Sequence, residues 1–139
     1  MNENQNPQTS TNGVRPQIGL VEAVKICLQE KYCDFNGRAR RSEFWWYALV
    51  AGIVSYLLAY IGLWLGGMTG YYVVNAIVGL ALLLPGLGVI VRRLHDIGKS
   101  GWYFLIILIP IVGAIILLVW YCTDSQRTEN EYGPSPKYQ

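Results

Sequence analysis

Two short polar stretches concentrate the side chains that could do chemistry. The first reads Phe35-Asn36-Gly37-Arg38-Ala39-Arg40-Arg41-Ser42-Glu43 and the second Arg92-Arg93-Leu94-His95-Asp96-Ile97-Gly98-Lys99-Ser100-Gly101. A guanidinium can hold a phosphate or carboxylate with two donors at once, so Arg38, Arg40, Arg41, Arg92 and Arg93 point to anion recognition. Glu43 lies three residues from Arg40, and Asp96 four from Arg92. Glu43 could instead pair with Arg92 or Arg93 of the other stretch. His95, beside Asp96, has the composition of an oriented general base. No Ser or Cys nucleophile stands at a defined spacing from it, and as the sole histidine it lacks partners to complete a metal site. No catalytic residue, metal or cofactor is expected, and His95 reads as a hydrogen-bonded structural group.

What must position these residues is a membrane domain. The chain has 139 residues, 53% hydrophobic and only 14% charged, against about 25% charged in soluble domains. Phe44–Val91 contains no Lys, Arg, Asp or Glu in 48 residues, and Trp102–Cys122 none in 21. A spanning helix needs about 20 apolar residues, so the longer run is too long for one pass. Gly66-Gly67-Met68-Thr69-Gly70 in its middle is a turn signal. The expected fold is an all-α integral membrane protein with three transmembrane helices, a hairpin (about 44–65 and 71–91) plus a third pass (about 102–121). Alternating polarity of the kind a membrane β-barrel needs is absent. Trp45, Trp46, Trp64, Trp102 and Trp120 all fall at span ends, where amphipathic rings meet the headgroups.

A hairpin brings its two ends to one membrane face, so six basic residues (the five arginines and Lys99) converge there. With Glu43, His95 and Asp96 they form the candidate lipid, phosphate or partner-binding site. The alternatives are a plain topogenic anchor and a surface for an acidic partner protein; nucleic acid is excluded by the position against the membrane. The basic residues place the N-terminus in the cytoplasm, and three passes would then place the C-terminus outside.

Residues 1–18 read as a disordered polar tail. Residues 19–33 carry Leu20, Val21, Val24, Cys27, Leu28 and Tyr32 at helical spacing, an amphipathic helix for the membrane surface or for packing on protein. The membrane domain covers 34–122, and 123–139 is a polar tail. Cys27, Cys33 and Cys122 do not form a disulfide framework. Within the first span, Ala48, Gly52, Ser55, Ala59, Gly62 and Gly66 form a small-residue stripe suited to close helix packing, within the molecule or between copies. Tyr60 and Asn75 lie at similar depth near the hairpin tip and could share a hydrogen bond. The spans hold no charge, which counts against an ion path.

At the two polar stretches the sequence resembles the domain-of-unknown-function 805 family. The residues that carry the likeness are Phe35–Trp46, Arg92–Trp102, the pair Pro110 and Gly113, and Asn130-Glu131-Tyr132-Gly133-Pro134 with Pro136. It extends over about residues 22–136, departing from the family pattern at Asp124-Ser125-Gln126-Arg127. The resemblance implies a small multi-pass protein of the bacterial inner membrane and supplies no reaction. The expected function is that of a non-enzymatic membrane component bound to anionic lipid headgroups or to an unidentified membrane protein, with a homo-oligomer open. An oligomeric channel or transporter subunit is the alternative, and an enzyme acting on lipid headgroups the least favoured.

Overall fold

The structure is a computed structural model that describes residues 14–138. The part of the expected tail before Val14 lies outside the described residues. Those that are described form helices and no strand.

The dominant element is a helical hairpin, α2, Arg41–Asp96. Its helical conformation breaks at Gly66 (φ −134°, ψ 16°) and Gly67 (φ 60°, ψ −149°). The positive φ at Gly67 is where glycine's lack of a Cβ matters. Near this bend the arms touch backbone to backbone, since a Cβ on Gly62 would lie 2.7 Å from the Gly70 carbonyl oxygen. Within the hairpin, the small-residue stripe brings the arms together here. Ala59 and Gly62 are buried, Ser55 is half-buried, and Ala48, Gly52 and Gly66 are exposed. Asn75 donates to the Tyr71 carbonyl (2.9 Å) rather than meeting Tyr60, whose ring packs on Tyr56 at 5.1 Å.

Pro85 sits inside the second arm. Lacking an N–H, it leaves the carbonyl four residues earlier without a helical partner. That carbonyl belongs to Ala81, and the Tyr32 hydroxyl donates to it. One residue on, the Tyr47 hydroxyl donates to the Leu82 carbonyl at 3.1 Å. Tyr32 therefore satisfies the carbonyl that Pro85 frees, and Tyr47 adds a bond to the next one.

The surface helix is shorter than the spacing predicts. α1 covers Leu20–Lys25, and one wide turn continues it over Ile26–Glu30. It packs on the hairpin through Ala23 and Cys27, both fully buried, while Leu20 and Val21 stay exposed. Cys27 joins Ala39, Phe44, Tyr47 and Val89 in the main apolar cluster.

The segment expected as a third pass is not one helix. A 3-10 helix spans Gly101–Leu108 and an α-helix, α3, spans Val112–Cys122. Between them Ile111 takes φ 64°. Gly113 comes so close to the first half that a Cβ there would overlap the Ile106 carbonyl oxygen at 1.8 Å. The two halves are thus folded back on each other. Their outer ends meet as well, with the Tyr103 and Trp120 rings 5.8 Å apart. At about 2.0 and 1.5 Å rise per residue each half is only about 16 Å long, half of a ~30 Å bilayer core. The expectation of one continuous helix over about 102–121 is therefore corrected. Pro110 supplies no N–H at the bend, and the N–H groups of Ile109, Val112 and Gly113 bond to the carbonyls of Ile106, Pro110 and Ile109. The bend satisfies these backbone groups internally, as an apolar medium requires.

Candidate functional site

The open end of the hairpin gathers both polar stretches, the start of the N-terminal segment and the C-terminal tail. At its centre Asp96, fully buried, receives three donors. Arg38 Nε reaches Oδ1 at 3.1 Å, Arg93 Nη1 reaches Oδ2 at 2.6 Å, and the Ser125 hydroxyl bonds to Oδ2. Burial raises the Asp96 carboxyl, opposed by the Ser125 hydroxyl and the two guanidiniums. Arg38 carries the network into the tail, donating to the carbonyls of Gln126 (2.8 Å), Thr128 (2.9 Å) and Gly133 (3.2 Å) and to that of Asp96 (3.0 Å). Arg93 donates to the carbonyls of Trp120, Tyr121 and Thr123. It thus caps the C-terminal end of α3, where helix carbonyls are unpaired and positive charge is favoured.

A second ion pair ties the two arms together. Arg92 Nη1 bonds to Glu43 Oε1, with Arg92 at 0% and Glu43 at 4% exposure. This is the cross-hairpin alternative left open above. The neighbouring Cys27 thiol lies 3.8 Å from Glu43 Oε1, and burial, with the Glu43 charge, pushes it up to about 11.

The six cations therefore do not form one collar. Arg38, Arg92 and Arg93 are buried and bonded to carboxylates and carbonyls of this chain. Arg40, also buried, extends Nη1 to the Arg15 and Pro16 carbonyls. Arg41 is exposed, donating to the Cys122 carbonyl (3.1 Å) and pairing with Asp124 at 3.2 Å. Lys99 lies over the Trp120 ring at 4.6 Å and the Tyr103 ring at 5.6 Å.

His95 does not form a dyad with Asp96, whose carboxylate contacts lie elsewhere. Its Nδ1 is 3.1 Å from the Gly37 carbonyl. Its ring stacks flat on Tyr132 at 3.8 Å, and Asn130 donates to its backbone carbonyl at 2.9 Å. Burial lowers its basicity, partly offset by the Gly37 carbonyl. The tail Asn130–Pro136 is thereby docked on the second polar stretch. Sequence reasoning had no access to Ser125 and Lys137 as partners. Lys137 bonds to both Asp124 oxygens at 2.7 Å. Burial would raise Asp124, but hydrogen bonds from Lys137, Tyr138 and the Ser125 N–H hold it well below the usual carboxylate range.

The docked tail, the paired stretches and the uncharged hairpin coincide with a family pattern. The family described as a protein of unknown function, DUF805, matches residues 32–134. The chain belongs to the DUF805 family. It is 38% identical over 113 residues to inner membrane protein YhaI of Escherichia coli strain K12, covering 81% of this chain and 94% of that protein. It is also 38% identical over 112 residues to inner membrane protein YhaH of the same strain, covering 79% and 93%. No solved structure matches the chain. DUF805 relatives are thus named for their place in the inner membrane, and no biochemical activity is attached to the family. The matched region begins at Tyr32, so it includes the tyrosine bonded to the Ala81 carbonyl and both ion-pair networks, while α1 lies outside it.

Proposed function

We propose that this chain is a non-enzymatic component of the bacterial inner membrane that presents one polar face to anionic lipid headgroups. One observation carries the reading. The ion pairs of Asp96 and Glu43 engage Arg38, Arg92 and Arg93, and two accessible cations, Arg41 and Lys99, sit at the same end beside Trp45 and Trp120. Basic residues beside interfacial tryptophans suit an anionic leaflet, each worth about 1 kcal/mol near the surface. The engagement of His95 by Gly37 and Tyr132, and of Asp96 by three donors, supports a structural role for both.

In this reading the hairpin crosses the bilayer twice and 101–122 dips in and returns. Both described ends then lie on the cytoplasmic face, where the basic residues belong. Native mass spectrometry of the purified protein with mixed phosphatidylglycerol and phosphatidylcholine tests the lipid reading. Preferential retention of phosphatidylglycerol is expected, weakening at high salt as exposed charges are screened. Equal retention of the two lipids would contradict it.

A further inference from the structure

A cavity of about 340 Å³ opens where α2 begins, lined among others by Arg40, Arg41, Ser42, Trp45, Asp124 and Lys137. Its volume falls in the range of about 300–1,000 Å³ typical of small-ligand sites. Three cations face one carboxylate, a surplus of two positive charges. They come from distant parts of the chain: Arg40 and Arg41 stand at the start of the first arm and Lys137 lies in the tail. Asp124 fixes two of them, bonding to Lys137 at 2.7 Å and pairing with Arg41 at 3.2 Å. Arg40 is 4% exposed, and among the described residues only its Nη1 is hydrogen-bonded.

Two further features point to an anion. The Ser42 hydroxyl is buried and has no hydrogen-bond partner among the described residues. A buried polar atom left unpaired costs free energy, so its retention calls for an explanation. The leading N–H groups of α2, which like those of any helix have no intrahelical acceptors, receive no side-chain cap from Arg40. Trp45, 42% exposed on the same turn, marks headgroup depth.

We propose that this cavity binds the phosphate group of an anionic glycerophospholipid. Arg40, Arg41 and Lys137 supply the charge, and the Ser42 hydroxyl with the open first turn of α2 supplies neutral donors. The proposal rests on the lipid reading above and narrows it to one cavity and one chemical group. The broader cationic face would attract a leaflet by charge alone, whereas this cavity has donors arranged around a single phosphate.

The test uses the full chain in detergent and native mass spectrometry with phosphatidylglycerol, phosphatidylcholine and inorganic phosphate. Two variants address the cavity. Arg41→Gln with Lys137→Gln removes two charged donors. Ser42→Asp puts a carboxylate in the first helical turn, where negative charge stabilises a helix while repelling a phosphate. Each is expected to lower phosphatidylglycerol retention about tenfold or more, the effect of losing one charged hydrogen bond. Ser42→Asp should do so with its melting temperature unchanged or raised, which separates loss of binding from loss of folding. Lys25→Gln, on α1, should retain lipid as wild type does.

If wild type prefers phosphatidylglycerol and both cavity variants keep that preference, the cavity assignment is overturned and the broader lipid reading stands. If wild type shows no preference, the broader reading fails and this one with it. Inorganic phosphate bound in a variant-sensitive way, without phosphatidylglycerol, would overturn the lipid as the source of the phosphate.

Discussion

Glu43 and Arg92 come from opposite arms of one hairpin and meet where neither is exposed to water. A buried ion pair gains little over apolar residues of similar size, but removing one partner leaves an uncompensated charge costing about 3–5 kcal/mol. Glu43→Leu alone should therefore destabilise the protein by about that amount, while Glu43→Leu with Arg92→Met should recover most of the loss. Reversible unfolding in detergent measures both. A double variant as unstable as the single one would show that the pair is not the relevant contact. The sequence made this pairing visible because each partner has an identity and the turn at Gly66-Gly67 fixes the geometry. The partners of Arg38 were not visible. Most are backbone carbonyls of residues 126–133, and a carbonyl is the same in every residue. For the same reason the six cations read as a single collar, although Arg38, Arg40, Arg92 and Arg93 are buried.

At the scale of elements, Pro85 and Tyr32 form a unit separated by 53 positions. If the Tyr32 hydroxyl serves the carbonyl that Pro85 leaves free, Tyr32→Phe should cost about 0.5–1.5 kcal/mol in wild type. In a Pro85→Ala background the restored N–H can take the Ala81 carbonyl, and the same substitution should then cost close to nothing. A double-mutant cycle checks the coupling, and identical costs in the two backgrounds would refute it. Helix content and the hairpin were legible from uncharged run lengths and the glycine turn. The fold of 101–122 was not. An uncharged run of 21 residues has the length of one span, and hydropathy does not distinguish a straight helix from two half-length ones. Pro110 and Gly113 mark the bend, but its form depends on the positive φ of Ile111 and on the contact of Gly113 with Ile106. The small-residue stripe is a second case in which spacing gives a face but not the contact. Its spacing defines a face of the helix, yet the arms approach closely only at Gly62 and Gly70.

For the molecule as a whole these elements place every buried charge among the described residues, the docked tail and the cavity at the open end of the hairpin. The central claim is that the chain returns to this end after 101–122, so that the N-terminal and C-terminal segments share a membrane face. Two exposed cysteines report on it directly, Cys33 before the hairpin and Cys122 at the end of α3. Single-cysteine versions, keeping one or the other, can be labelled with a membrane-impermeant thiol reagent in intact spheroplasts and in inverted vesicles. The account predicts that both positions label only in inverted vesicles, from the cytoplasmic side. Labelling of Cys33 and Cys122 from opposite sides would contradict it and restore a third crossing.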